Sequence, residues 1–286
     1  MNRGIELTDQ TYWDQFWAEC KLPAEAEKTA DDLMTYEILN IFDKFLSTDA
    51  SKSVLEIGGA PGRFLVYLTK KFKYKAHALD YSTIGCQKTQ ENFKLLGLDV
   101  TVYQLDLLSS EIHPPFFDVV YSLGFVEHFE DIGLIIKKHL DLLKPGGILL
   151  IEIPNFLGIY APFMRIFAPN MLSMHNLNAM DTRKWNTFER DLDLGVLFKG
   201  YLGGFSPEVL RNILAKERES MPWFSKLLSY AFDIPFRILM RMNKYFQVSQ
   251  PLRRFNSRYW SICAIGVYRK PCSNPEQESI HKRGTR

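Results

Sequence analysis

A glycine-rich turn that follows an apolar segment constrains this chain more than any other feature. Residues 54–64 read VLEIGGAPGRF, in which the apolar run stops at Gly58 and a helical pattern begins at Arg63. A dinucleotide fold would have the order GxGxxG with an acid about twenty residues later, whereas Glu56 lies two residues before the first glycine. A carboxylate there would repel a pyrophosphate. It suits a ligand that carries positive charge, such as an ammonium or a sulfonium.

Strand-like and helical segments alternate along the first half of the chain. The pattern predicts strands over residues 53–57, 76–80, 100–105, 117–122 and 148–153, and helices over residues 31–46, 63–72, 83–96 and 132–143. Because strands that alternate with helices form a parallel sheet covered on both faces, this is an α/β pattern. Ligands of such sheets bind at the carboxyl ends of the strands.

Several polar residues come just past those strand ends. Asp80 is placed to accept hydrogen bonds from ribose hydroxyls, and Asp106 from an adenine amino group. Together with Glu56 they favour S-adenosylmethionine over NAD. The alternatives are structural: the glycines serve only a tight turn, Asp80 caps a helix, and Asp106 is a loop acid. Asp118, inside the fourth strand, is interpreted as structural.

The chain resembles class I S-adenosylmethionine-dependent methyltransferases of the small-molecule group called type 11/12. The matching pieces, in family order from about residue 50 to 156, are VLEIGGAPGRF, HALDYS, YQLDLLS, FDVVYSLGFVEHFED and LKPGGILLIEIPN. The resemblance implies a seven-stranded Rossmann-like sheet of order 3-2-1-4-5-7-6 with helices on both faces. It also implies S-adenosylmethionine as cofactor. One departure is Ala60, which stands where the family has its middle glycine.

The resemblance implies a set of cofactor-binding residues. Those in the strand ends and turns are Glu56, Gly58, Gly59, Ala60, Gly62, Asp80, Tyr81, Asp106, Leu107, Ser122 and Leu123. An N-terminal helix that acts as a lid adds Tyr12, with Trp13 beside it. The alternative for this helix is ordinary packing through Trp13 and Trp17.

Two histidines are the candidate catalytic residues. Methyl transfer to an oxygen or carbon acceptor requires loss of a proton, and histidine is the natural base near neutral pH. His128 follows the fourth strand and His175 lies in the segment after the fifth. The alternatives are that His128 orients a loop and that His175 bonds to backbone. The four cysteines are scattered without metal-ligand spacing, and the sequence shows no carboxylate cluster. It therefore predicts no metal site.

The predicted acceptor is a small or lipid-linked molecule rather than a nucleic acid. The net charge of +2 gives no basic field for a polyanion, and strand four lacks the Asn/Asp-Pro-Pro-Tyr signature of nucleic-acid amino methyltransferases. O-methylation of a glycan or metabolite hydroxyl is the leading hypothesis. Its alternatives are C-methylation of a prenylated quinone ring and a non-catalytic regulator that binds the cofactor.

The remaining chain divides into a core and attachments. We predict an N-terminal helical lid over 1–48, the core over 49–203, a helical insertion over 204–258, the last core strand over 259–270 and a mobile tail over 271–286. Within the core we expect a loop over 155–180, a helix over 181–192 and a sixth strand over 195–201. The first 20 residues do not read as a signal peptide, and the apolar run 148–164 is interrupted by polar residues and prolines. A cytoplasmic protein is expected.

The insertion carries a basic and aromatic segment, residues 223–258. This composition suits peripheral contact with the inner face of a membrane. A homodimer interface and a solvated cap beside the acceptor mouth are the alternatives.

Overall fold

One mixed sheet organises the part of the chain that the structure, a computed structural model, describes: residues 6–29, 32–109, 116–235, 237–238, 241 and 255–272. Its strands stand in the order β3-β2-β1-β4-β5-β7-β6, which confirms the predicted topology. The strands are β1 Ser53–Ile57, β2 Lys75–Asp80, β3 Thr101–Gln104, β4 Phe117–Leu123, β5 Leu143–Pro154, β6 Gly195–Leu202 and β7 Cys263–Arg269.

The first five strands run parallel, and β7 inserts antiparallel between β5 and β6. All carboxyl ends of β1 to β5 therefore meet at one edge, hereafter the carboxyl edge. The predicted second, third and fifth strands differ from the observed ones only at their ends. β5 is the longest because its first residues continue the pairing with β4.

Helices cover both faces of the sheet. In chain order they are α1 Gln10–Ala18, α2 Leu33–Phe45, α3 Arg63–Phe72, α4 Thr83–Leu95, α5 Ile132–Asp141, α6 Tyr160–Phe167, α7 Pro169–Ser173, α8 Asn186–Asp191, α9 Pro207–Glu217 and α10 Trp223–Ala231. On one face α2 buries Leu39 and Phe42 completely, and on the other α5 buries Ile135 and Ile136. Although we predicted α2 as part of a lid, it belongs to the core.

The segment after β5 is not the predicted loop. Residues 155–180 contain α6 and α7, because Tyr160, Met164 and Phe167 recur at helical spacing and are buried. The predicted helix over 181–192 is also divided, into a 3-10 turn at Thr182–Trp185 followed by α8. Prolines, and apolar residues outside the helical spacing, made this pattern difficult to recognise in the sequence.

The last strand begins later than its sequence suggests. Residues 259–262 are rich in strand-forming side chains, yet the backbone oxygen of Tyr259 accepts a hydrogen bond from Ile159 N at 3.0 Å. Tyr259 is thus held at the start of α6 rather than in the sheet, and β7 starts at Cys263.

The predicted insertion between β6 and β7 contains helices, namely α9 and α10. Its residues 242–254, and the predicted tail from residue 273, lie outside the described residues. Among the residues with a described position, no helix is long and apolar enough to cross a membrane.

Candidate functional site

The turn after β1 forms a cradle that only small residues can line. Gly58 has a φ of 66° and Gly62 a φ of 79°, in the left-handed region that favours glycine. A Cβ on Gly58 would lie 2.4 Å from the Phe125 ring, and one on Gly59 would lie 2.3 Å from the Glu56 carboxyl group. Ala60 is not among the residues of positive φ, so its methyl group does not strain the turn.

Among the described residues four buried carboxyl groups have an oxygen without a hydrogen-bond partner, and two of them, Glu56 and Asp80, border the glycine turn. Glu56 is 2% exposed, and its Oε2 has no hydrogen-bond partner among the described residues. Asp80 accepts a hydrogen bond from Ser82 N at 2.8 Å through Oδ1, while its Oδ2 is likewise unpartnered within the described ranges. Burial raises the pKa of Glu56 to about 8 and that of Asp80 to about 7. Buried polar atoms usually have partners, so this pair indicates a ligand.

A pocket beside Asp80 gathers the residues that we predicted on the nucleoside side. Its lining includes Gly58, Asp80, Tyr81, Asp106 and Leu107. The Tyr81 hydroxyl donates a hydrogen bond to Glu6 Oε1 at 2.7 Å. Asp106 Oδ1 accepts one from Leu108 N at 2.8 Å, so this oxygen supports its own loop.

The N-terminal segment covers the pocket tightly. The inner volume is only about 20 Å³, far below that of a nucleoside. Glu6 lines the wall, and Leu7 N donates to His128 O at 2.8 Å. Any nucleoside ligand therefore requires the pocket wall at Glu6 to move outward.

Helix α1 contributes a contact that sequence reasoning missed. Asp14 Oδ1 accepts hydrogen bonds from Ser82 Oγ at 2.6 Å and from Ile84 N at 3.2 Å, so it ties α1 to the start of α4 beside Asp80. Tyr12, the predicted lid residue, instead packs on Trp13 and is half-buried. The only sign of the Asp14 contact that the sequence offers is a negative charge on the predicted lid.

One predicted cofactor-binding residue at the end of β4 does not point toward the carboxyl edge. Ser122 is fully buried, and its Oγ lies 3.0 Å from Nε2 of His139 on α5. Its side chain is thus engaged on the α5 face, because side chains alternate along a strand. Leu123 stands at the strand end and is partly buried.

The two candidate catalytic histidines lie side by side. Their ring centroids are 4.6 Å apart, and the Trp13 ring packs edge-on against His128 at 5.1 Å. Glu127 is 1% exposed, and its Oε1 is 3.8 Å from His128 Nε2. Burial lowers the pKa of His128 to about 4 and raises that of Glu127 well above its ordinary value. Both imidazoles are therefore neutral at pH 7.

The sequence family described as a methyltransferase domain matches residues 30–199, more than half of the chain. The chain belongs to this methyltransferase family. The resemblance found in the sequence is thereby confirmed.

Relatives of this methyltransferase are distant. (S)-Coclaurine N-methyltransferase of Papaver somniferum is 24% identical over 135 residues, which are 44% of this chain but only 36% of that protein. The match thus spans about a third of the relative's length.

Solved structures share the fold. A coclaurine N-methyltransferase bound to N-methylheliamine and S-adenosylhomocysteine (SAH) aligns with a TM-score of 0.56 at 13% identity, over 94% of this chain and 82% of that one. The geranyl diphosphate C-methyltransferase of Streptomyces coelicolor A3(2), in complex with Mg²⁺, geranyl diphosphate and SAH, gives 0.58 at 11%, over 91% and 97%. At such identities the likeness establishes the fold alone.

A larger cavity, of about 430 Å³, lies at the opposite edge of the methyltransferase sheet. Asp118 lines it and forms an ion pair with Lys144 at 2.8 Å while accepting a hydrogen bond from Ser53 N. These contacts agree with the structural role predicted for Asp118. The glycine cradle and the unpartnered carboxyl groups are all at the carboxyl edge, so the candidate site is there and not at the larger cavity.

The buried Glu56 makes the stability of the ligand-free protein depend on pH. Its pKa is about 8 in the folded state and close to 4.5 when exposed. Its stabilising contribution is therefore complete below pH 4.5 and is lost as the pH rises through 8. Glu56→Gln removes the ionisation, so we expect the variant to melt at least about 3 °C above the unmodified protein at pH 9 and within about 1 °C of it at pH 5. Thermal denaturation is the measurement, and the exposed Glu91→Gln is the control. An equal difference at both pH values would contradict the assigned burial.

Proposed function

We propose that this chain transfers a methyl group from S-adenosylmethionine to a small-molecule acceptor. The observation that carries the proposal is the pair of buried, unpartnered carboxyl groups of Glu56 and Asp80 beside a glycine cradle. A carboxylate there suits the ammonium of a methionine moiety, and a second one suits ribose hydroxyls. The cofactor would supply a methyl group on a positively charged sulfur.

The remaining residues would bind the cofactor, cover it and orient the acceptor. Tyr81, Asp106 and Leu107 would surround the adenine side, and α1 would close over the methionine side with Trp13. One of the two imidazoles, that of His128 or that of His175, would accept the proton of a hydroxyl acceptor at Nε2, since both Nδ1 atoms are held by backbone oxygens. Such an enclosure excludes water and aligns the acceptor for displacement.

The acceptor class is supported by the relatives. One is named for N-methylation of coclaurine, and another for C-methylation of geranyl diphosphate, both small molecules. We propose a hydroxyl of a glycan or metabolite as the acceptor, with C-methylation of a prenylated quinone ring as the alternative. The apolar segment around α6 and α7, which follows β5 at the carboxyl edge, favours an acceptor with an apolar part.

Methyl transfer can be tested without knowing the acceptor. We expect the protein, given cofactor with a radiolabelled methyl group, to label a component of a fractionated lipid and polysaccharide extract. Glu56→Gln should raise the KM for cofactor by about 10- to 150-fold, as for loss of a hydrogen bond to a charged group. His128→Asn should lower kcat by about 100-fold or more at unchanged cofactor KM.

The exposed Glu91→Gln on α4 is the matched control and should keep both constants, because its side chain lies outside the candidate site. A protein that binds SAH but labels no fraction would favour the regulator alternative. Unchanged constants in Glu56→Gln would remove Glu56 from the site.

We further propose that α10 contacts a lipid surface. Its apolar side chains point outward: Trp223 is 81% exposed and Leu227 67%. Tyr230 and Ile234 continue the stripe at helical spacing and are also exposed. This is the reverse of an ordinary surface helix.

The inner side of α10 is polar. Ser225 and Ser229 are buried, and Ser229 Oγ accepts a hydrogen bond from Arg218 Nε at 3.0 Å. The polar face of α10 is thus hydrogen-bonded inside the protein. Its apolar face is exposed, beside the exposed basic residues Arg237 and Arg241. This arrangement suits insertion among acyl chains next to anionic headgroups.

Vesicle sedimentation tests the lipid contact. We expect binding to vesicles of phosphatidylcholine with phosphatidylserine, decreasing as salt is added because each basic residue contributes about 1 kcal/mol that salt screens. Replacing Trp223 and Leu227 together with Ser should reduce binding at least about tenfold, since burial of each apolar side chain contributes about 1.5–3 kcal/mol to the binding free energy. Leu95→Ser, at an exposed apolar position of α4, is the control.

Absence of sedimentation at low salt would contradict the lipid contact. Light scattering would then decide between the homodimer and the solvated cap.

Lys244, also part of the predicted basic segment, lies outside the described residues.

A further inference from the structure

Three side chains from two separate segments converge in a cluster behind the acceptor side of the site, two of them buried and the third partly buried. Glu127 and His128 come from the turn after β4, and His175 comes from the segment after α7. One ligand-type atom from each lies within 4.8 Å of the other two. Two imidazole nitrogens and one carboxylate oxygen are a common ligand set for divalent transition metals.

Both imidazoles are held in the orientation that metal ligation needs. His128 Nδ1 is 2.9 Å from Met174 O, and His175 Nδ1 is 2.6 Å from Met171 O. A carbonyl oxygen can only accept, so each Nδ1 carries the proton and each Nε2 carries the lone pair. A backbone carbonyl bonded to the second ring nitrogen is the usual outer contact of a metal-bound histidine.

The carboxyl group of Glu127 adds an independent sign of a missing ligand. It is 1% exposed, and its Oε2 has no hydrogen-bond partner in the part of the chain that the structure describes. The backbone around it is firmly fixed, since Asn176 N donates to Glu127 O at 2.6 Å. A buried carboxylate is tolerated when it is paired with a cation or coordinates a metal.

We propose that Glu127, His128 and His175 bind one divalent transition-metal ion, with zinc the best match. Zinc sites that take part in reactions commonly have three such protein ligands and keep one position open. Magnesium and calcium prefer all-oxygen ligands, which this cluster does not offer. Ligand atoms around zinc are roughly 3.4 Å apart, so the distances between the ligand atoms of the cluster have to shorten by up to about 1.4 Å.

A metal here would act on the same site as the proposed methyl transfer, and this consequence rests on that function. The ion would join the turn after β4 to the segment after β5, and Trp13 of α1 would pack over one of its ligands. Its open position could hold an acceptor oxygen and favour loss of its proton. The imidazoles would then be ligands instead of free bases.

Cobalt and zinc titrations of the full chain, purified without a histidine tag, test the binding directly. We expect one equivalent of Co²⁺ to give visible absorption bands that zinc abolishes, and zinc to raise the melting temperature. Glu127→Gln and His175→Asn should weaken zinc binding at least tenfold. Asn can still donate to Met171 O, so the fold is preserved, and equal melting temperatures in EDTA check this.

His77→Gln is the matched control, because His77 lies on β2 near Tyr103 and should leave the titration unchanged. The proposal is overturned if the unmodified protein shows no cobalt bands, or if folded variants bind zinc as tightly as it does. If a variant fails the EDTA check, the cobalt spectrum of the unmodified protein decides. SAH affinity, measured separately, reports on the proposed function, so zinc binding without SAH binding would contradict that function alone.

Discussion

The desolvation of Glu56 at the end of β1 is the constraint on which the site depends. Ordinary folding would bond or expose such a carboxyl group, because an unpaired buried charge is costly. Here the turn brings Gly59 so close that a Cβ would lie 2.3 Å from the carboxyl group, and Gly58 leaves room for the Phe125 ring. The site is thus arranged around a buried carboxyl group that has one oxygen free for a ligand.

The same edge is closed by the N-terminal segment, and this closure links binding to motion. Asp14 bonds to the start of α4, Glu6 accepts a hydrogen bond from Tyr81, and Trp13 packs on His128. One segment therefore covers both the cofactor side and the histidine cluster. Its opening would expose both at once, so ligand entry on the two sides is expected to be coupled.

Local patterns in the sequence predicted the alternating strands and helices of a parallel sheet. The strand order came from the resemblance of five motifs, in family order, to class I methyltransferases, and the structure confirms that order. Long-range contacts were not accessible in this way. His128 and His175 are 47 positions apart, so nothing in their spacing indicated that their rings meet. Likewise, that Ser229 faces inward can be seen only once its bond with Arg218 is known.

The central claim is that the buried Glu56 carboxyl group is held neutral until a cationic ligand arrives. Calorimetric titration of SAH at pH 7, repeated in buffers of different ionisation enthalpy, measures the protons exchanged. Because the pKa of Glu56 is about 8 in the ligand-free protein, binding of an ammonium should release about one proton to the buffer. Glu56→Gln should abolish most of that release, and the exposed Glu91→Gln should keep it. Tight SAH binding with no proton release from the unmodified protein would contradict the account.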